Sequence, residues 1–180
     1  SNCQQITNIA VGRTSDVLRL FVTCDNHDQT VVKFFDNLQG LQFEEVADLS
    51  LQIEKETQPF IADFNGDFLE DLLYTDPQSK TVFVAYQLAG SPRQLSVQSF
   101  NSSMLVTDET EGCMSKQLPK KILTTPHSSS LIDLDGDCIS DLFLTVQDPE
   151  TNKKYYEIYL RRERRNSWDE PDELSSSQSS

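Results

Sequence analysis

Apolar residues occur along the 180-residue chain in short runs that are divided by polar turns. The runs are rich in β-branched and aromatic residues, and the turns are rich in Asp, Asn, Gly and Pro, which is typical of antiparallel hairpins. Three times, a strand, a polar turn and a second strand follow one another. The second strands are TVVKFFDN from Thr30, TVFVAYQ from Thr81 and YYEIYLRR from Tyr155. A turn around Gly40 and a further strand follow the first hairpin, and helical periodicity is weak, so we predict an all-β fold.

The first strands of the three hairpins recur at long spacing. DLLYT (71–75) and DLFLT (141–145) lie 70 residues apart, and a weaker copy, RLFVT (19–23), lies 52 residues before the first of them. A repeat of roughly 50 to 70 residues built from short antiparallel strands indicates β-propeller blades, and propellers typically have four to eight of them. We predict about three four-stranded blades. Three blades do not close a ring, so we expect an incomplete propeller or a fragment of one.

The repeat also predicts how the chain is divided. A degenerate first blade covers 1–52, and a blade with a first acidic loop covers 53–106. A polar connecting loop follows over 107–125, and a blade with a second acidic loop covers 126–168. The acidic, serine-rich tail 169–180 is expected to be disordered because it is almost without apolar residues.

Two acidic nonapeptides precede two of the repeated strands, DFNGDFLED (63–71) and DLDGDCISD (133–141). Calcium takes six to eight oxygen ligands at about 2.3–2.6 Å, and oxygen-bearing residues at alternate positions let one segment wrap such an ion. All-oxygen ligands favour calcium over zinc, and a flexible loop with many ligands favours it over magnesium. The candidate ligands are side chains at loop positions one, three, five and nine and the carbonyl at position seven: Asp63, Asn65, Asp67, Leu69 and Asp71, and Asp133, Asp135, Asp137, Ile139 and Asp141.

The two loops differ from the helix-loop-helix calcium hand. That motif ends on a Glu at position twelve, whereas Tyr74 and Leu144 occupy that position here. The alternative that each loop is an acidic turn without a bound metal remains, since Asp, Asn and Gly dominate turns. Repulsion among three or four acids in nine residues favours a bound cation. We predict that the all-Asp second loop binds calcium more tightly than the first loop, in which Asn65 replaces one acid.

Charge and cysteine content limit the kinds of partner and compartment that the chain suits. With 29 acids against 15 bases the net charge is −14, which argues against a nucleic-acid partner. No apolar run approaches the roughly 18 residues that cross a bilayer, and no leader precedes the first strand, so no membrane contact is expected from this segment. Four cysteines without CxxC spacing leave the redox compartment open. Asn101, in Asn-Ser-Ser, is a glycosylation acceptor if the chain enters the secretory pathway.

No catalytic set is evident. His27 and His127 lie in polar stretches and are expected at the surface, and no nucleophile-elbow motif is present. Cys138 is expected to be a buried structural thiol. We therefore expect no enzymatic activity and a structural role for calcium. Two alternatives remain, a propeller domain that accompanies a hydrolase or lyase, and an intracellular scaffold.

The segments PFIADFNGDFLEDLLYT, PHSSSLIDLDGDCISDLFLT and YYEIYLRR resemble the FG-GAP (VCBS-type) repeats of integrin-α-like propellers. The chain is more closely similar to the T-cell immunomodulatory protein family, well over 57–168 and loosely over 6–51. The resemblance implies an extracellular propeller on a signal-bearing, single-pass membrane glycoprotein that modulates T cells through a protein partner such as a cell-surface receptor. The chain departs from the repeat at Phe68 and Cys138, where many such loops have a second Gly, and at Arg19, where an Asp closes the other loops.

Overall fold

The computed structural model describes residues 3–14, 17–100, 120–125 and 128–160, and these residues form β-strands and turns without a helix. The all-β prediction is therefore confirmed for them, and no helix suited to crossing a membrane lies among them. The strands are β1 (Gln5–Arg13), β2 (Leu18–Asn26), β3 (Gln29–Gln39), β4 (Gln42–Ile53), β5 (Phe60–Ala62), β6 (Asp71–Thr75), β7 (Val82–Leu88), β8 (Ser91–Ser99), β9 (Ile122–Leu123), β10 (Ser130–Ile132), β11 (Asp141–Gln147) and β12 (Lys154–Tyr159).

The strands form three antiparallel sheets of four strands each. Sheet one has the order β1-β2-β3-β4 and sheet two the order β5-β6-β7-β8, so consecutive strands are neighbours. In sheet three β11 pairs with β12, while β9 and β10 pair with different stretches of β11. The three predicted hairpins are β2–β3, β6–β7 and β11–β12. The predicted turn at Gly40 joins β3 to β4 with a φ of 58°.

Sheet two lies between the other two sheets and is buried on both faces. All five residues of β6, DLLYT, are buried, which explains why this strand has a continuous apolar run rather than alternating polarity. One face of sheet two, with Leu72 and Tyr74, packs against Phe21 and Phe34 of sheet one. The Phe21 and Phe34 rings meet edge to face with centroids 5.5 Å apart.

The opposite face of sheet two packs against sheet three. Leu73 and Val84 of sheet two share a cluster with Leu142 and Leu144 of β11, and these side chains are almost fully buried. Because side chains alternate between the faces of a strand, neighbouring residues such as Leu72 and Leu73 belong to different cores. Sheet two thus links sheets one and three through two separate apolar interfaces.

The 70-residue spacing in the sequence is visible in main-chain hydrogen bonds. The N–H of Glu54 donates to the carbonyl of Thr75 at 2.8 Å, and the N–H of Thr124 donates to the carbonyl of Thr145 at 3.2 Å. Both donors and both acceptors are 70 residues apart. The predicted connecting loop is thus partly incorporated in sheet three, since β9 falls within 107–125. The rest of that loop up to residue 119 and the tail 169–180 lie outside the described residues.

We expect Leu73→Ala to lower the free energy of unfolding by about 2–5 kcal/mol, because it leaves a cavity between sheets two and three. Leu41→Ala is the matched control, since Leu41 is 96% exposed in the β3–β4 turn. It should change stability by about 0.5 kcal/mol or less. Equilibrium urea unfolding measures both, and equal effects of the two substitutions would contradict the assignment of Leu73 to an inter-sheet core.

Candidate metal centre

The two acidic loops connect β5 to β6 and β10 to β11, and the Asp at position one organises each turn. In the first loop, the N–H groups of Gly66 and Phe68 donate to Asp63 Oδ1 and Oδ2 at 2.6 and 2.9 Å. In the second loop, the corresponding hydrogen bonds to Asp133 are 2.7 and 3.0 Å long. The carboxylate at position one therefore fixes the backbone of both loops in the same way.

Positions three and five repeat as well. In the first loop, the N–H of Asp67 donates to Asn65 Oδ1 at 3.0 Å, and the N–H of Leu69 donates to Asp67 Oδ1 at 2.9 Å. In the second loop, the N–H of Asp137 donates to Asp135 Oδ1 at 3.2 Å, and Asp137 Oδ1 accepts from Ile139 N–H at 2.8 Å. Short Asp and Asn side chains suit such local turns.

Position nine places an acid in the interior. Asp71 and Asp141 begin β6 and β11 and have no exposed surface. Asp71 Oδ2 accepts from Phe64 N–H at 3.1 Å, and Asp141 Oδ2 accepts from Leu134 N–H at 2.8 Å. The Asp at position nine of each loop is therefore hydrogen-bonded to the main chain at position two, which closes the loop.

Two residues in each loop adopt left-handed backbone conformations. Gly66 and Gly136 have φ of 81° and 82°, so the predicted need for Gly at the sharp turn agrees with the backbone. Phe68 and Cys138 both have φ of 67°, a region that L-residues other than Gly adopt at a cost. The departure from a second Gly thus places strain at position six of both loops.

Three carboxylates converge in the second loop. Ligand atoms of Asp133, Asp135 and Asp141 all lie within 4.8 Å of one another. Oxygens bound to one calcium ion are separated by at most about 4.6–5.2 Å, twice the usual calcium–oxygen distance. The donor set therefore fits calcium in chemistry and in spacing. Asp137 lies outside this group.

The first loop differs in its side-chain contacts. Asn65 Nδ2 donates to Asp67 Oδ2 at 3.0 Å, so the amide occupies a carboxylate oxygen. In the described part of the chain, Asp63, Asp67 and Asp71 do not form a convergent group like that of the second loop. This contrast has the same direction as the predicted difference in calcium affinity, which stays a prediction.

The buried position of Asp71 affects its protonation. Burial raises the pKa of Asp71 to about 7, although hydrogen bonds from the N–H groups of Gln87 and Phe64 lower it, and the charges of Asp67 and Asp63 raise it further. The ionised form of this carboxyl group is therefore costly unless a positive charge lies close to it.

In sheet one, the position that corresponds to Asp71 and Asp141 is occupied by an arginine instead of an acid. Arg19 is fully buried in β2, and its guanidinium group forms two hydrogen bonds to the carboxylate of Asp36, at 2.6 and 2.9 Å. A third hydrogen bond, at 2.7 Å, reaches Gln87 Oε1 of sheet two. An arginine paired with a neighbouring strand thus replaces the acid that closes the other two loops.

Gln87 joins this pair to the first acidic loop. Its Nε2 group donates to the carbonyl oxygens of Glu70 at 2.6 Å and Arg13 at 3.0 Å, and its N–H donates to Asp71 Oδ1 at 3.0 Å. Gly12 permits the approach, because a Cβ there would lie 2.9 Å from the Cβ of Glu70. The inter-sheet role of Gln87 was missed at the sequence level, since a lone Gln in a strand has no distinguishing pattern.

The structure also places three of the four cysteines. Cys138 is a free, exposed thiol, so its predicted burial is wrong. Cys138 lies at position six of the second loop, where the backbone is left-handed. Cys3 and Cys24 form a disulfide between the start of the chain and β2, which the sequence left undetermined. Asn101, Cys113, His127 and Trp168 lie outside the described residues.

His27 is exposed in the β2–β3 turn, as predicted. A polar cleft beside it is lined by Gln4, Gln5, Asp25, Lys55 and Glu56. Lys55 Nζ donates to the main-chain oxygen of His27, and the N–H of His27 donates to Gln4 Oε1 at 3.2 Å. These contacts attach the turn to its surroundings.

Comparison with known proteins adds no assignment, since no family model, curated protein or solved structure matches the chain.

We expect Cys138→Gly to raise the free energy of unfolding by about 1 kcal/mol, because Gly removes the left-handed cost at that position but loses more chain entropy on folding. Cys138→Ser is the matched control, since it removes the thiol and keeps the Cβ. Urea unfolding in EDTA measures both variants without a bound cation. The same result for Gly and Ser would show that backbone strain is not the cause.

We expect Arg19→Ala to lower the free energy of unfolding by about 3–5 kcal/mol, because it removes the guanidinium partner of Asp36 from a buried pair. Lys120→Ala serves as the control. Lys120 and Glu150 lie 3.5 Å apart with both side chains more than half exposed, so this pair should contribute less than about 1 kcal/mol. Thermal unfolding followed by circular dichroism compares the two, and a small effect at Arg19 would contradict the stabilising role of its buried pair with Asp36.

Proposed function

We propose that this chain is a non-catalytic, calcium-stabilised module of FG-GAP/VCBS-type propeller blades that serves protein–protein recognition on an extracellular or cell-surface glycoprotein. The carrying observation is the convergence of Asp133, Asp135 and Asp141 within 4.8 Å at the entrance to β11. The two loops have equivalent hydrogen bonds and φ values, which indicates that they share the same local structure.

The ions have a structural role in this proposal. Each loop leads directly into the first residue of a central strand, Asp71 in β6 and Asp141 in β11. A cation held by the loop oxygens neutralises acids that otherwise repel one another, and it pins the turn before the buried strand. Calcium would thus stabilise sheets two and three, which pack against each other through residues such as Leu73 and Leu142.

The arrangement of the sheets supports the propeller assignment. Sheets of four antiparallel strands pack face to face in chain order, and the second is covered on both sides, as blades inside a propeller are. Surface turns that join such strands are free to vary and to contact other molecules. Recognition of a protein partner, such as a cell-surface receptor, rests on this property and on the resemblance of the loop segments.

An extracellular location is supported by the cysteines. The Cys3–Cys24 disulfide requires an oxidising compartment in order to persist, which favours the secretory pathway over an intracellular scaffold. The Asn-Ser-Ser acceptor at Asn101 is compatible with the same pathway. Calcium sites of extracellular modules have dissociation constants of about 10⁻⁴–10⁻³ M, so even a site of low affinity would be compatible with this location.

We expect calcium to raise the melting temperature of the chain and EDTA to lower it. At a calcium concentration 100 times the dissociation constant, one site stabilises the folded state by about 2.7 kcal/mol. Differential scanning calorimetry with and without EDTA and isothermal titration with CaCl2 measure the two effects. Absence of both binding heat and an EDTA effect would overturn the proposal.

Three variants, measured in the same calcium experiments, test which loop binds the ion. Asp135→Asn should remove more of the calcium-dependent stabilisation than Asp67→Asn, because Asp135 belongs to the convergent group and Asp67 does not. Glu150→Gln removes one negative charge outside both loops and should leave the calcium response unchanged. An equal loss from Glu150→Gln would indicate a general charge effect rather than a site.

A further inference from the structure

The packing of the three sheets is directional. We define the forward face of each sheet as the face with Phe21, Leu73 or Phe143, three residues that occupy equivalent positions in the repeat. The rear face is the opposite one. The forward face of sheet one packs on the rear face of sheet two, and the forward face of sheet two packs on the rear face of sheet three. The same type of contact is thus made twice within one chain.

The forward face of sheet three is apolar, and large parts of it are exposed. Tyr156 is 74% exposed and Ile158 is 54% exposed, and the Tyr156 ring stacks on Phe143 with centroids 5.4 Å apart. The register of the strands identifies the residues of sheet two that correspond to these positions. Phe143 pairs with Ile158 as Leu73 pairs with Val84, and Leu73 and Val84 are buried in the contact between sheets two and three.

The rear face of sheet one is apolar and is exposed along β1, while Val22, Cys24 and Val31 at its centre form a buried cluster with Cys3 packed against it. Ile9 is 56% exposed and Val11 is 61% exposed on β1, and they pair with Val22 and Leu20 of β2. Leu20 occupies the position in sheet one that Leu72 occupies in sheet two, where it is buried against sheet one. Each outer face thus displays some apolar side chains, Ile9 and Val11 on one and Tyr156 and Ile158 on the other.

Within the described ranges, no strand lies over either of these two faces. Contiguous exposed apolar surface on a folded protein marks an interaction site. The two surfaces are the unmatched halves of a contact that the chain makes internally, one at each end of the row of sheets. Because the two faces continue the internal interfaces, a second copy of the chain carries a complementary surface for each of them.

We propose that two copies of this chain associate head to tail, with the forward face of sheet three of each copy packed on the rear face of sheet one of the other. Such a heterologous contact closes only if the rotation from copy to copy completes a ring. The described residues of two copies supply six sheets, which lies within the range of about four to eight in which rings of sheets close. Three copies would supply nine such sheets, more than that range, so a dimer is the assembly that we propose.

Sedimentation equilibrium of the full 180-residue chain tests the proposal. The expected mass is twice the monomer mass of 20.5 kDa. Ile158→Asp on the forward face of sheet three and Ile9→Asp on the rear face of sheet one should each reduce the mass to that of a monomer. Both side chains are more than half exposed, so the monomers should stay folded, as circular dichroism would verify.

A mixture of the two variants gives the decisive result. One of the two contacts in a mixed dimer joins two unaltered faces, so mixing should restore dimers that neither variant forms alone. Leu41→Asp, in an exposed turn away from both faces, is the control and should leave the dimer intact. A monomeric unmodified chain, a dimer that only one of the two variants disrupts, or a mixture that stays monomeric would each overturn the proposal.

Discussion

The structure depends on the burial of sheet two between two other sheets. Its central strand β6 has no exposed face, and adjacent residues Leu72 and Leu73 supply opposite cores. Burial of an aliphatic side chain of this kind contributes about 1.5–3 kcal/mol, so a strand used on both faces contributes about twice as much per unit length as a half-exposed one. Within the described chain, the outer face of sheet one has only a smaller buried cluster, Val22, Cys24 and Val31, and no other sheet covers the outer face of sheet three. The stability of both sheets therefore depends on sheet two.

Burial of β6 and β11 imposes a constraint at their first residues. Each strand must enter the core from a surface loop, and the entering residue is a fully buried Asp, Asp71 or Asp141. A buried acid requires hydrogen bonds or opposite charge, which main-chain N–H groups provide here and a cation would complete. Sheet one meets the same constraint with Arg19, whose charge is balanced by Asp36. One position in the repeat is therefore satisfied by an ion pair in one sheet and by a calcium-binding loop, as proposed, in the others.

The directional packing connects architecture to recognition. A sheet that packs forward face on rear face leaves one face of each kind at the ends of any row. In this chain the exposed parts of those end faces are mainly apolar, although the rear face of sheet one also holds Lys33 in an ion pair with Glu45. The ends are thus suited to joining sheets to one another, and the loops are the surfaces suited to other proteins.

The sequence by itself determined the three hairpins, the turn at Gly40 with the strand after it, and the positions of the two acidic loops. Alternation, β-branched residues and Asp-Gly turns are local signals, so β2–β3, β6–β7, β11–β12 and the positive φ at Gly66 and Gly136 were predictable. The tertiary structure alone decided which acids converge, that Cys138 faces solvent, that Cys3 meets Cys24, and that Gln87 links Arg19 to Asp71. These features join residues as many as 68 positions apart, and such pairs are selected by how the sheets pack, for which a single sequence has no local signal.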